Sequence, residues 1–216
     1  MKVCVLGATG FIGSYVVKAL HEHGHAVRCT VRSMRSDTSR IEGVPFERVP
    51  GDIADTDALK AAFQGCDAVI HMALSAAWDQ QRTAAQQQAL VTTSRDGTRN
   101  VLVAAQAAGG LRVVFVSSFA AINCSTTPER TFDEDSPPEP RAASLAYVAA
   151  KRAAEEVCAE FVAKGLPVVI MNPAEVYGVL RPPVSLLTPA LPFSHSLRLS
   201  GGRKTLRLEG RACRCL

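Results

Sequence analysis

The chain has 216 residues, of which 47% are hydrophobic and 20% are charged, and its formal net charge is +4. This composition is typical of an ordinary soluble globular protein, and no stretch is apolar over the roughly 18 residues that a membrane-spanning helix needs. The apolar start at residues 3–6 runs into Gly7 without a basic region or an export-type cleavage site, so we expect a cytoplasmic protein that binds no membrane.

Over the first 180 residues, short and nearly all-apolar β-rich runs alternate with long alanine-rich stretches, which predicts βαβ units. Six strands are predicted, at residues 2–6, 26–31, 45–49, 68–72, 112–117 and 167–171. Four helices are predicted between them, at residues 11–23, 55–63, 83–108 and 142–164. Because successive parallel strands are joined by right-handed crossovers, the predicted fold class is α/β, a doubly wound parallel sheet of the Rossmann type.

A glycine-rich segment, GATGFIG at residues 7–13, lies between the first predicted strand and the first predicted helix. Glycines let the backbone turn tightly and approach a ligand, and a helix start offers unpaired N–H groups to a pyrophosphate. A turn without a ligand is the alternative. The candidate cofactor-binding residues of this segment are Gly7, Thr9, Gly10, Phe11, Ile12 and Gly13.

The end of the second strand bears on which dinucleotide is bound. A carboxylate there would bond a ribose 2′-hydroxyl, whereas a guanidinium would pair with a 2′-phosphate. The chain has Arg32 at this point, with Arg35 close behind and no acid until Asp37. We therefore expect NADP(H) rather than NAD(H), the alternative being that Arg32 is a solvated loop charge.

Two further strand ends supply candidate cofactor contacts. Asp52 and Ile53 follow the third strand and could hold the adenine, while Ala73 and Ser75 follow the fourth and could line the ribose. Simple loop roles for these four residues remain open.

Tyr147 and Lys151 are four residues apart in a predicted helix and therefore share one face. A free tyrosine has a pKa near 10, and a neighbouring ammonium favours the phenolate, which makes the hydroxyl a usable acid or base. Such a pair also occurs by chance.

Two serines, Ser117 and Ser118, lie at the carboxyl end of the strand predicted at 112–117, where ligands bind in open α/β sheets. Ser118 is therefore the candidate to hold a carbonyl oxygen, with Ser117 next. Serines that only cap a turn are the alternative.

Taken together, these segments resemble the extended branch of the short-chain dehydrogenase/reductase family, with its NAD-dependent epimerase/dehydratase group and dihydroflavonol-reductase-like enzymes. The resemblance covers about residues 1–180. It rests on GATGFIG at 7–13, GDI at 51–53, VIHMAL at 69–74, DGTRNVL at 96–102, VFVSSFA at 114–120, YVAAK at 147–151 and NPAEVYG at 172–178.

The resemblance implies roles for individual residues. The glycines at 7, 10 and 13 would bind the pyrophosphate, and Ser118, Tyr147 and Lys151 would form the catalytic triad, with Lys151 also reaching the nicotinamide ribose. Asn172 and Pro173 would lie beside the nicotinamide, and Val176 would lead towards the substrate. One departure is Ser94, where many relatives have an asparagine that helps to order the active-site helix.

The C-terminal segment differs more strongly from the family pattern. Residues 181–216 contain seven basic residues and one acid, a local charge of +6 that leaves −2 for residues 1–180, so we expect no nucleic-acid partner. We divide the chain into a dinucleotide-binding domain at 1–180 and a basic tail at 181–216. The family normally continues here into a substrate-binding region that this sequence largely lacks. An altered reading frame, a splice form, a fragment or a short hairpin would each account for the tail.

The seven cysteines are scattered and odd in number, so reduced thiols are expected rather than a disulfide framework. Cys213 and Cys215 lack companion ligands at zinc spacing, and no metal site is predicted.

Three functions remain open at this point. The first is an NADP(H)-dependent oxidoreductase that acts on a carbonyl or secondary alcohol of a small molecule. The second is an NAD-dependent nucleotide-sugar epimerase or dehydratase, and the third is a truncated dinucleotide-binding module without turnover. A homodimer formed through the two long helices at 83–108 and 142–164 is also expected.

Overall fold

A computed structural model describes residues 1–73, 83–122, 133, 136, 145–174 and 176. Its six strands are β1 (Lys2–Leu6), β2 (Ala26–Val31), β3 (Glu47–Pro50), β4 (Ala68–His71), β5 (Arg112–Val116) and β6 (Val168–Met171). Its helices are α1 (Phe11–Glu22), α2 (Thr56–Phe63), α3 (Ala84–Ala107), α4 (Phe119–Ile122) and α5 (Ala146–Ala163), with a 3₁₀ turn at Ser39–Ile41.

The strands form one parallel sheet in the order β3-β2-β1-β4-β5-β6. The predicted α/β fold with a doubly wound sheet is confirmed. Strand order reverses between β1 and β4, and a crevice for ligands opens at such a point, outside the carboxyl ends of the strands. The segments that follow β1, β4, β5 and β6 therefore meet along one edge of the sheet.

Most predicted elements differ from the observed ones by one or two residues at their ends, but the helix predicted at 142–164 begins four residues later, at Ala146. Asp55 and Thr83 were predicted to start helices, and each is instead the N-cap: the Asp55 carboxylate accepts from Asp57 N and Ala58 N, and Thr83 forms a capping box with Gln86. The strand predicted at 45–49 lies at Glu47–Pro50. Helix α4 was not predicted, because four residues show no periodicity. Residues 142–144 and 177–216, including the predicted tail, lie outside the described residues.

Apolar side chains fill both faces of the sheet. On one face, α2, α3 and α5 pack on the sheet and contribute Phe63, Leu102 and Phe161 to the core. On the other face, α1 and the 3₁₀ turn contribute Val17 and Ile41 to a second core cluster. The strands between these layers are apolar on both sides for this reason.

Arg28 makes side-chain hydrogen bonds that the sequence pattern did not indicate. Arg28 on β2 is 8% exposed, and its Nη1 donates to the carbonyls of Ala62 and Gln64, both at 2.7 Å. Its Nε donates to the Glu47 carboxylate at 2.9 Å, so this guanidinium joins β2, β3 and the end of α2.

None of the helices in the described ranges is both long and apolar enough to cross a membrane.

Helix α3 approaches the loop after β3 closely. A Cβ atom added to Gly97 would lie 2.6 Å from Ile53 Cδ1, and the Asn100 amide donates to the Ile53 carbonyl at 2.9 Å. The small residue lets Ile53 fill the gap between helix and loop, and Asn100 fixes its backbone.

We expect Gly13→Ala to be strongly destabilising, because its Cβ would lie 2.0 Å from the Gly7 carbonyl oxygen, a backbone atom that cannot move aside. The free energy of unfolding should fall by about 2 kcal/mol or more, as measured by urea denaturation. Ile12→Ala on the same turn is the control and should change it by less than about 1 kcal/mol, since Ile12 is 37% exposed. Equal stability of Gly13→Ala and the native chain would contradict this packing.

Candidate active site

The loop between β1 and α1 turns sharply against the end of β4. Gly7 has a φ of +86°, and its carbonyl accepts from Gly10 N at 3.1 Å. A Cβ atom on Gly7 would lie 3.0 Å from both Ala73 N and the carbonyl carbon of Met72. Glycine is therefore required by the backbone conformation and by the close approach to Ala73, one of the predicted cofactor residues.

The start of α1 is open to an anion. Gly10 is its N-cap, and the cap position supplies no side-chain hydrogen bond, so the first N–H groups, those of Phe11, Ile12 and Gly13, have no helical partner. The first helical bond runs from Ser14 N to the Gly10 carbonyl. Such an N-terminus, with the positive end of the helix dipole, fits a phosphate group. The small residues and the open helix start thus fit the pyrophosphate of a dinucleotide.

Arginines follow β2, and one of them contacts this loop. Arg32 directly follows β2 and is exposed. Arg40 Nη1 donates to the Thr9 carbonyl at 3.3 Å, which joins the 3₁₀ turn to the glycine loop. Asp37 accepts from Ser39 N at 2.9 Å, and this bond lowers the pKa of its carboxyl. Asp37 is thus engaged in its own turn.

Asp52 and Ile53, the predicted adenine contacts, both have structural partners. The Asp52 carboxylate accepts from Ala54 N at 2.9 Å, and Ile53 packs on Gly97. These contacts hold the loop after β3 in place. Ser75, the other predicted ribose contact beside Ala73, lies outside the described residues.

Lys151 is the best-defined side chain of the predicted catalytic set. It is 5% exposed, and its Nζ donates to the Val116 carbonyl at the end of β5 at 2.8 Å. The ammonium lies 5.3 Å from the centre of the Phe115 ring and 6.0 Å from that of Tyr147. Burial lowers the pKa of Lys151 to about 8, and the nearby Glu155 carboxylate opposes this effect.

The two serines differ in their partners. Ser118 is 8% exposed and its Oγ accepts from Ala120 N at 3.3 Å, whereas the buried Oγ of Ser117 has no hydrogen-bond partner among the described residues. Tyr147 packs beside Ala120 and Val148. The serines and the Tyr-Lys pair thus lie on neighbouring elements at the carboxyl edge of the sheet.

Residues that follow β6 support this loop. Phe119 N donates to the Pro173 carbonyl at 2.9 Å, and the Asn172 amide donates both to the Ser118 carbonyl at 3.0 Å and to Glu155 Oε1 at 2.7 Å. Asn172 and Pro173 were predicted as cofactor neighbours, and their polar atoms bond to protein groups. Val176 is 48% exposed.

His71 was not singled out from the sequence. It ends β4, is 1% exposed, and its Nε2 lies 3.2 Å from Thr98 Oγ1, while Nδ1 has no partner among the described residues. Burial, with a smaller contribution from Lys151, lowers the pKa of His71 to about 3. The ring is therefore neutral at physiological pH. Glu155 was also missed, although its position four residues after Lys151 was a usable signal.

Comparison with known proteins shows the family of the chain. The family model described as the NAD dependent epimerase/dehydratase family matches residues 3–191. Cinnamoyl-CoA reductase 1 of Oryza sativa subsp. japonica is 36% identical over an alignment of 189 residues, and the match covers 82% of this chain and 53% of the rice protein. The chain spans about half the length of the curated relatives that it matches.

The chain is also similar to solved structures of a reductase and an epimerase. Vestitone reductase from alfalfa (Medicago sativa L.) matches with a TM-score of 0.63 and 26% identity, over 79% of this chain and 56% of that one. UDP-glucose 4-epimerase of Thermus thermophilus, in complex with NAD, matches with a TM-score of 0.67 and 25% identity, over 80% of this chain and 54% of that one.

Burial of neutral His71 predicts a loss of stability in acid. Its pKa is lower in the folded chain than in the unfolded one, so its contribution is present above about pH 6.5 and falls as the pH drops towards 3. Between pH 7 and pH 5 the native chain should lose about 2 kcal/mol that His71→Gln does not lose.

Urea unfolding at the two pH values measures this difference. His21→Gln, a change of an exposed histidine on α1, is the matched control and should keep the native pH dependence. The same pH dependence in His71→Gln and in the native chain would show that His71 is not the group responsible.

Proposed function

The chain belongs to the NAD-dependent epimerase/dehydratase family, and from that premise we propose that it is an NADP(H)-dependent oxidoreductase. The reaction moves a hydride between the nicotinamide and the carbonyl or secondary-alcohol carbon of a small molecule. The observation that carries this proposal is the buried Lys151 ammonium, anchored 2.8 Å from the Val116 carbonyl and one helical turn from Tyr147.

In this proposal the dinucleotide lies in the crevice between the ends of β1 and β4. The N–H groups at the start of α1 bind the pyrophosphate, and Gly7 and Gly13 let the loop and the helix start pack closely, since side chains there would collide with backbone atoms. Arg32, exposed after β2, pairs with the 2′-phosphate. The bound nicotinamide supplies or accepts the hydride.

Tyr147 transfers the proton in the proposed reaction. The Lys151 ammonium, 6.0 Å from the ring centre, stabilises the negative charge that develops on the Tyr147 oxygen as the proton passes to or from the substrate oxygen. Ser118, at the end of β5, donates a hydrogen bond to the same oxygen and orients it. Because Lys151 loses its charge as pH rises through about 8, this assistance weakens in base.

The relatives' names favour a carbonyl compound as the substrate. Cinnamoyl-CoA reductase and vestitone reductase are both named for reductions. The similarity to UDP-glucose 4-epimerase with NAD supports the second candidate, a nucleotide-sugar epimerase or dehydratase. Tightly retained NAD after purification would favour the epimerase, whereas freely exchanging NADPH would favour the reductase. The cytoplasmic location and the homodimer through α3 and α5 stay predictions.

Arg32→Ala tests the choice of cofactor. The change should weaken NADPH binding about tenfold or more, because it removes a charge-assisted hydrogen bond to the 2′-phosphate, and leave NADH binding unchanged. Fluorescence titration gives both dissociation constants. Lys60→Ala, which removes an exposed positive charge from α2, is the control for net charge. Unaltered NADPH affinity in Arg32→Ala would overturn the NADP(H) assignment.

Tyr147→Phe tests the proton-transfer role. The variant keeps the ring that packs beside Ala120 and Val148, so NADPH affinity should stay within about threefold while kcat falls by about 10² or more. NADPH oxidation is followed at 340 nm with a panel of aldehydes, ketones and cinnamoyl-CoA. Retained turnover would exclude the mechanism. NADPH binding by the native chain without turnover on the whole panel would instead support the non-catalytic dinucleotide-binding module.

A further inference from the structure

Helix α5 presents a third functional group in line with the Tyr-Lys pair. Tyr147, Lys151 and Glu155 are successive i, i+4 neighbours, so they lie along one stripe of the helix. Glu155 is half-buried, and its Oε1 accepts from the Asn172 amide at 2.7 Å. Its partner is therefore not another helix residue but the segment that follows β6.

The Asn172 amide also bonds to the loop after β5. Its Nδ2 also donates to the Ser118 carbonyl at 3.0 Å, so one amide group bridges the Glu155 carboxylate and the backbone of Ser118. Backbone bonds flank the bridge, from Ser117 N to the Met171 carbonyl at 2.7 Å and from Phe119 N to the Pro173 carbonyl at 2.9 Å. Helix α5 also contacts α4, which follows this loop, since Arg152 Nε donates to the Ala121 carbonyl at 2.9 Å.

We propose that Glu155 is a positioning residue of the Ser118, Tyr147 and Lys151 site: through Asn172 it fixes the backbone of Ser118, and its negative charge lies along α5 from the buried Lys151 ammonium. The role assigned to Ser118 and Lys151 rests on the proposed function, whereas the contacts themselves do not. Without this carboxylate, the amide of Asn172 loses an acceptor and the buried ammonium loses its nearest opposing charge on the helix.

The surroundings of Lys151 explain why this charge matters. The groups facing the ammonium from other elements are the Val116 carbonyl and the Phe115 ring on β5 and the neutral His71 ring on β4. Tyr147 and Arg152 belong to its own helix. Burial lowers the pKa of Lys151, and the Glu155 carboxylate raises it, so Glu155 keeps more of Lys151 protonated near neutral pH.

Two substitutions distinguish the effect of the Glu155 charge from that of its hydrogen bond to Asn172. Glu155→Gln keeps an oxygen that can accept from Asn172 but removes the charge, whereas Glu155→Ala removes both. Glu156→Gln is the matched control, because Glu156 is the neighbouring carboxylate and is exposed.

The first measurement needs neither cofactor nor turnover. In protein labelled with ¹³C at the lysine ε carbon, the Lys151 resonance is assigned by its loss in Lys151→Arg and then titrated with pH. Glu155→Gln should shift its midpoint down by about 0.5–1 pH unit, and Glu156→Gln should not shift it. A midpoint in Glu155→Gln equal to that of Glu156→Gln would overturn the electrostatic part of the proposal.

The second measurement follows the bridge. In Glu155→Ala the ¹⁵N side-chain amide resonance of Asn172 should move, and kcat should fall about tenfold with an unchanged KM for NADPH, while Glu155→Gln should keep kcat within about threefold at its own optimum. An unmoved Asn172 resonance would overturn the bridge. Should Glu155→Ala fail to fold, the Asn172 resonance is compared in Glu155→Leu, and Glu155→Gln still decides the charge. Absence of turnover in the native chain would defeat the proposed function but leave both NMR results to decide this inference.

Discussion

The hydrogen bond from the buried Lys151 ammonium to the Val116 carbonyl joins the helix that bears Tyr147 to the strand that delivers the serines. Placing an ammonium there is costly: a fall of its pKa from 10.5 to about 8 corresponds to about 3 kcal/mol against the charged form. The Val116 carbonyl and the Phe115 ring lie against the ammonium, and the Glu155 carboxylate keeps its pKa from falling further. A buried charge with this set of partners also limits how far α5 can slide along β5.

The second constraint is steric and lies at the reversal of strand order. The glycine loop after β1 is packed so closely that a single added carbon at Gly7 or Gly13 would meet backbone atoms at 3.0 Å or less. This closeness brings the start of α1 against the end of β4, which is where a diphosphate would lie relative to the Tyr-Lys pair. The open start of α1 and the Tyr147–Lys151 pair therefore lie at the same edge of the sheet, and strand spacing contributes to the distance between them.

The chain is similar both to proteins named as reductases and to proteins named as epimerases. Vestitone reductase and UDP-glucose 4-epimerase match it almost equally well, with TM-scores of 0.63 and 0.67. Similarity over this portion identifies the family but does not separate a reductase from an epimerase. Under the proposed function the residue after β2 is more informative, since a positive charge there would favour NADP(H) over NAD(H).

The sequence by itself determined the order and type of nearly all described elements, because apolar strands, alanine-rich helices and glycines at their ends are local signals. It also placed Gly7, Gly10 and Gly13 between a strand and a helix, and Tyr147 one turn from Lys151 on a single face. Only the tertiary structure decided that His71 is buried beside Thr98, that Arg28 binds the end of α2, and that Asn172 bridges Ser118 and Glu155. The bridge joins Asn172 to residues 54 and 17 positions away in sequence, and no local pattern specifies which distant backbone groups a polar side chain will meet. Hydrogen bonds of that kind are set by the stacking of strands and helices, which exists only once the chain has folded.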